Sequence, residues 1–144
     1  MAFYVFDLDG TLADCSHRLH YLDKKDWRGF FAACPHDEPI NHMIELFVTL
    51  CRGGHRVEIW SGRSDEVRAE TEAWLLEHDI GGSLTGPITV LMRNAGDHRP
   101  DDEVKREFLR GGGIPDLIFD DRKRVVDMWR AEGIPCAHIA EGDF

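Results

Sequence analysis

A chain of 144 residues with 42% hydrophobic and 31% charged side chains has the length and composition of one globular domain with a sizeable core, and neither a disordered nor a fibrous signature. Its 17 Lys and Arg against 27 Asp and Glu give a net charge of −10, which excludes a broad basic face for coating duplex nucleic acid and leaves room only for a local basic pocket. Cys15, Cys34, Cys51 and Cys136 are scattered without a Cys-x-x-Cys pair, so reduced thiols and a cytoplasmic location are expected, and no apolar run reaches membrane-spanning length.

The first element is a strand. Phe3 to Phe6 is aromatic and β-branched and runs into Asp7-Leu8-Asp9-Gly10-Thr11. In extended chain Asp7 and Asp9 point to the same side, so their repulsion requires a cation, a proton or a phosphate-binding task. The alternative is an Asp-Gly hairpin turn. Residues Leu12 to Glu38 read as a small insert with short helical patterns around Ser16 to Leu22 and Asp26 to Ala33. It carries Arg18, Trp27, Arg28, Phe30 and Phe31, placed where they can overhang a site.

Pro39 suits the first turn of a helix whose apolar face is Ile40, Met43, Ile44, Phe47, Val48 and Cys51, stopped by Gly53-Gly54. Arg56 to Trp60 is a second strand, followed by Ser61-Gly62-Arg63 as a polar turn and Ser64 as the N-cap of the next helix. Ile88 to Met92 is a third strand, and Asp101-Asp102-Glu103 open a helix that carries Lys105. Asp116 to Phe119 is a fourth strand ending in Asp120-Asp121. A helix from Arg124 to Glu132 and a strand from Cys136 to Ile139 complete the order. Strands alternating with helices predict an α/β, Rossmann-like fold over residues 1–144: a central parallel sheet covered on both faces, with a short insert at about 14–38 and no full cap domain.

In such a sheet the site lies beyond the carboxyl ends of the strands. Those ends collect Asp7, Asp9, Thr11, Ser61, Arg63, Asp120 and Asp121, with Lys105 from a helix. Hard oxygen ligands with cations suit Mg²⁺ and phosphate.

Asp7-Leu8-Asp9-Gly10-Thr11, Ser61, Lys105 and Asp120-Asp121 stand in the order of the four motifs of the haloacid dehalogenase-like phosphohydrolases, which the chain resembles. Within them it is most similar to the 3′-phosphatase domain of phage polynucleotide kinase-phosphatases, through Ser61-Gly62-Arg63, the run Gly96 to Lys105, Asp120-Asp121-Arg122, Val125 to Arg130 and Gly142-Asp143-Phe144. The resemblance implies that Asp7 is the nucleophile and that Asp9 acts as acid, then base. Mg²⁺ would be held by Asp7, the backbone carbonyl of Asp9 and Asp121, with Asp120 in support. Ser61, Gly62 and Lys105 would cradle phosphate; Gly10 and Thr11 would shape the loop; Arg18, Arg63 and Asp101 would lie near the substrate or support Lys105. The implied activity is Mg²⁺-dependent removal of 3′-phosphate from DNA or RNA ends through an aspartyl-phosphate, with a separate kinase or ligase as partner. A nucleotidase acting on free nucleotides, or a non-catalytic module binding phosphorylated ends, are the competing readings.

Overall fold

The protein is described here by a computed structural model over residues 1–142; Asp143 and Phe144, the last two residues of the resembling segments, lie outside the described residues. Five strands form one parallel sheet: β1 (Phe3–Phe6), β4 (Arg56–Ser64), β5 (Val90–Arg93), β6 (Leu117–Arg122) and β7 (Cys136–Gly142). Their spatial order is β5-β4-β1-β6-β7. The chain moves outward from β1 through β4 to β5, then returns to the other side of β1 for β6 and β7. The strand order therefore reverses between β1 and β6, where an open α/β sheet has its crevice.

Alternation along each strand builds two cores. Phe6, Val57 and Ile59 turn to one face, beneath α3 (Asn41–Arg52) and α4 (Arg68–Glu77), which contribute Met43, Ile44, Phe47, Trp74 and Leu75. Phe6 stacks on Phe119 at a centroid distance of 4.5 Å and meets Phe47 edge-on at 5.0 Å. Phe3, Val5, Trp60 and Ile118 turn to the other face, covered by α6 (Lys123–Ala131) through Val125, Val126, Met128 and Trp129, with Phe108 of α5 (Asp101–Gly112) packed alongside. The parallel sheet with helices on both faces is as the sequence predicts.

Three boundaries differ from the sequence reading, each for a physical reason. Pro39 does not open a helix. It belongs to a two-residue strand, β3 (Glu38–Pro39), antiparallel to β2 (Ala13–Asp14), and the Ile40 amide donates to the Leu12 carbonyl at 2.8 Å. These bonds close the neck of the insert, so α3 starts only at Asn41. A proline is tolerated at such an edge because its missing amide hydrogen is not needed there.

Ser61-Gly62-Arg63 is not a free turn but the end of β4, and the fourth strand does not stop at Phe119 but runs on through Asp120-Asp121 to Arg122 as β6. In both strands the register shifts at this point, between Trp60 and Ser64 and between Asp120 and Arg122. In each, a strand-end side chain accepts the amide hydrogen two residues on: Ser61 Oγ from Arg63 at 3.0 Å, and Asp120 Oδ1 from Arg122 at 3.1 Å. A local bulge of this kind re-aims side chains without ending the strand.

The insert contains α1 (His20–Asp23) and α2 (Trp27–Ala32), flanked by single 3₁₀ turns at Ser16–Arg18 and Cys34–His36. Asp26 caps α2 by accepting from the Gly29 amide at 2.9 Å. No helix among the described residues is long and apolar enough to cross a membrane.

The Phe6–Phe47 contact between sheet and α3 offers a test of core packing away from the site. Phe47→Ala should lower unfolding stability by about 3–5 kcal/mol, read as a fall in the urea midpoint at unchanged m-value.

Candidate active site

Parallel pairing sets the first distances. Phe6 pairs with Phe119, and the Asp7 amide donates to the Phe119 carbonyl at 2.9 Å, so the residue after β1 comes level with Asp120 in β6. Asp7, Asp120 and Asp121 each bring a carboxylate oxygen into one group within 4.8 Å, all three buried. Lys105 reaches the group from α5, its Nζ donating to Asp7 Oδ1 at 2.7 Å and to Asp120 Oδ2 at 3.1 Å. Only 1% of Lys105 is exposed.

One ammonium among three carboxylates leaves the cluster short of positive charge. Burial, then the charge of Asp120, pushes Asp7 well above the usual carboxylate range against the pull of Lys105. Burial, reinforced by Asp120, raises Asp121 to about 6. Burial alone would lower Lys105, yet Asp120 and Asp7 raise it further into the charged state. Asp121 Oδ1 is buried without a hydrogen-bond partner. An orphaned carboxylate oxygen, hard oxygen donors and excess negative charge fit a divalent cation.

Gly10 sits at φ +83°, and a Cβ there would collide with the Asp121 carboxylate. Its lack of a side chain admits both the turn and the Asp121 carboxylate. The turn is tied by amides of Thr11, Leu12 and Ala13 converging on the Leu8 carbonyl, and Thr11 Oγ1 lies 3.4 Å from Asp7 Oδ2. Ser61 is buried at the end of β4.

Asp9 belongs to a second cluster. Its Oδ1 accepts from Arg18 Nη2 at 2.6 Å and from Arg63 Nη2 and Nε at 2.8 and 3.0 Å. Burial by itself would raise the Asp9 carboxyl, but Arg63 and Arg18 outweigh it and hold it at about 2. Both arginines are fully buried. Asp101 lies one helical turn before Lys105 and pairs with Arg93 at 2.6 Å and Arg122 at 3.0 Å. The backbone of Gly62 passes close enough that a Cβ there would strike the Asp101 carboxylate.

The structure thus brings Asp7, Lys105, Asp120 and Asp121 into one cluster, sets Asp9 with Arg18 and Arg63 beside it, and seats Asp101 behind Lys105 and against Gly62. The Asp9 side chain lies outside the carboxylate triad. Two residues escape the sequence reading. Asp37 is buried and accepts from Arg18 Nε at 2.8 Å, from Arg18 Nη2 at 2.7 Å and from Arg63 Nη2 at 3.0 Å, with His17 Nε2 at 2.7 Å. No local pattern marks it, because its partners come from elsewhere in the insert and from β4. Arg93 ties the Gly62 carbonyl, at 2.8 Å, to Asp101. The strand-end rule that selects Asp7 would have found it, since it closes β5.

A cleft of about 590 Å³ opens over these groups, lined by Asp7, Asp9 and Asp121 and by insert residues Trp27, Arg28 and Phe31. This is the size range of a small-molecule or nucleotide site.

A family model described as the polynucleotide kinase PNKP phosphatase domain matches residues 1–144. A chain in the structure of the Pnkp1/Rnl/Hen1 RNA repair complex is similar over 100% of this chain and 44% of its own length, at 28% identity and a TM-score of 0.82. The chain therefore spans less than half of that repair protein. A haloacid dehalogenase-like hydrolase from Streptococcus pneumoniae is similar at 15% identity over 94% of this chain and 83% of its own, with a TM-score of 0.62. The class C acid phosphatase from Bacillus anthracis is similar at 16% identity over 97% and 69%, with a TM-score of 0.60. These last two share the fold.

Removing the shared acceptor of the arginine pair should be costly. Asp37→Ala leaves Arg18 and Arg63 buried with Asp9 as their one remaining carboxylate, and should lower stability by about 3–5 kcal/mol in urea unfolding.

Proposed function

The chain belongs to the PNKP phosphatase-domain family of haloacid dehalogenase-like phosphatases, and from that premise we propose that it removes the 3′-phosphate from polynucleotide ends through an aspartyl-phosphate on Asp7. The observation that carries the reading is the buried Asp7–Lys105–Asp120 contact with Asp121 beside it, beneath a cleft walled by the short insert on one side and by residues of the segment from Arg93 to Asp101 on another. A site without a full cap admits a polymer end, whereas sites for small metabolites commonly enclose them. The 28% identical neighbour, whose structure is that of an RNA repair complex, supports a nucleic-acid end as substrate and a ligase or kinase as partner.

Asp7, Asp121 and the backbone carbonyl of Asp9, with Asp120 in support, would hold Mg²⁺, which when bound shields the approach of a carboxylate to an anionic phosphate. The protein's own groups do the rest. Lys105 grips one oxygen of Asp7 and steadies the other for attack on phosphorus. As the ester bond breaks, Lys105 and Ser61 stabilise the charge on the phosphoryl oxygens. Asp9 gives a proton to the departing 3′ oxygen, then takes one from the water that cleaves the acyl phosphate, releasing Asp7 and inorganic phosphate. Arg18 and Arg63 aim Asp9 through a single oxygen, Oδ1, and keep it ionised before substrate arrives. The proton it gives in the first step is therefore one it takes from the incoming phosphate monoester in its monoanion form, and it returns to the carboxylate that accepts a proton from water in the second.

Asp7→Asn should abolish turnover while leaving the fold intact, as read from the far-UV spectrum. Asp9→Asn should slow both half-reactions, and acid quenching should trap phosphate on residue 7, where borohydride reduction converts the acyl phosphate to homoserine. Substantial turnover by Asp7→Asn would refute the nucleophile. A panel of 3′-phosphorylated oligonucleotides, mononucleotides and sugar phosphates decides the substrate class. Faster hydrolysis of any free metabolite than of the oligonucleotide end would replace this proposal with a nucleotidase or other metabolite phosphatase.

Chelation should abolish activity. Returning Mg²⁺ at about 100 times its Kd should stabilise the fold by about 2.7 kcal/mol, seen as a rise in Tm that Asp121→Asn lacks.

A further inference from the structure

Trp27 is 48% exposed, and it is the one exposed aromatic residue among the described residues. It does not project from a loose loop. Its ring stands edge-on to Phe30 at 6.1 Å and near Phe31 at 6.2 Å, and Phe30 is buried under the Arg18 guanidinium at 4.3 Å. Arg18 Nη1 also donates to the Phe30 carbonyl at 3.2 Å, while Nη2 of the same guanidinium holds Asp9. A rigid chain of contacts therefore runs from Asp9 through Arg18 and Phe30 to an indole at the cleft wall. An aromatic face exposed in a fixed position favours a flat apolar ligand over a flexible one, because little ordering entropy remains to be lost.

Charge narrows the choice. The cleft rim also carries Arg28, Arg99 and Arg124. Arg99 is taken up by Asp97 and Glu107, and Arg124 by Asp102. Arg28, the residue after Trp27, has no ion pair among the described residues, so it remains for an anion from outside. A flat aromatic ring with a phosphate on each side is a nucleotide within a strand: one phosphate goes to Asp7 and the other, one linkage away, to Arg28.

We propose that Trp27 stacks the base of the 3′-terminal nucleotide and Arg28 pairs with the phosphate on that nucleotide's 5′ side, so the insert reads an unpaired strand end. The inference rests on the proposed 3′-phosphatase activity. Stacking on an indole is tolerant of sequence but needs the base free of its neighbours, so single-stranded or frayed ends are the expected substrates.

The test compares kcat/KM on three 3′-phosphorylated substrates: a short single strand, the same strand with an abasic terminal nucleotide, and a nucleoside 3′-phosphate that lacks the 5′-side phosphate. Wild type should favour the intact end over the abasic end by about tenfold, within the range of base–aromatic stacking. Trp27→Ala should bring that ratio towards one, and Trp27→Phe should restore most of it, a rescue that a loss of folding would not allow. Arg28→Gln should reduce the preference for the strand over the nucleoside 3′-phosphate, and with it the salt dependence of kcat/KM by about one phosphate contact. The subsite is overturned if strand ends are hydrolysed with equal efficiency whether or not the terminal base is present, or if Trp27→Ala keeps the wild-type ratio. If instead no strand end is hydrolysed while a free metabolite is, the 3′-phosphatase reading itself falls.

Discussion

The contact on which the site depends is the Lys105 ammonium lodged between Asp7 and Asp120. Two parallel strands deliver these carboxylates side by side, in a place too dry to screen their repulsion. Without the lysine, the ends of β1 and β6 would carry adjacent buried anions, a costly arrangement. With it, the cluster is held together but remains short of positive charge. The raised Asp7 and Asp121, and the unpartnered Asp121 oxygen, express that shortfall. A group that brings a divalent positive charge, or a reaction that moves negative charge towards Lys105, is favoured by the same imbalance.

The second cluster solves a different problem, that of placing Asp9. Arg18 comes from the insert, Arg63 from β4, and Asp37 from the insert's return. Each guanidinium bridges Asp9 and Asp37, so the insert is clamped onto the sheet by alternating charges, with Arg18, Arg63 and Asp37 buried. Arg63 is further fixed by Thr71 of α4 at 3.0 Å, and the Trp74 indole donates to the Asp37 carbonyl at 2.9 Å. The short insert is thereby tied to the sheet and to α4 by buried polar contacts, although it buries few apolar side chains of its own. The β2–β3 pair closes its neck. This is why so small an excursion can present a fixed wall to the cleft.

The local signals that made the sequence readable are those that depend on neighbours in the chain. The continuous apolar, aromatic run of β1, the strand character of Arg56 to Trp60, the apolar stripe of α3, and acids at the start of α5 each declare an element from a short window. The strand-end position of Asp7, Ser61 and Asp120 follows once the elements are in order. What misled the reading were windows with two local solutions. Pro39 fits a helix start as well as a strand edge, and Ser61-Gly62-Arg63 fits a turn as well as a bulged strand end. Neighbouring strands decided these cases by offering hydrogen bonds that the window does not contain.

The sequence by itself determined the class of fold, the order of its elements and the set of acids, hydroxyl and lysine at the carboxyl edge of the sheet, because those follow from periodicity and from residue types at strand ends. The tertiary structure alone decided that Asp9 is separated from the carboxylate triad by its arginines, that Asp37 and Arg93 complete the two charge networks, and that Trp27 is the exposed end of a rigid contact chain. These are pairings between segments far apart in the chain. Burial, by removing water as an alternative partner, forced each charge to find a specific one.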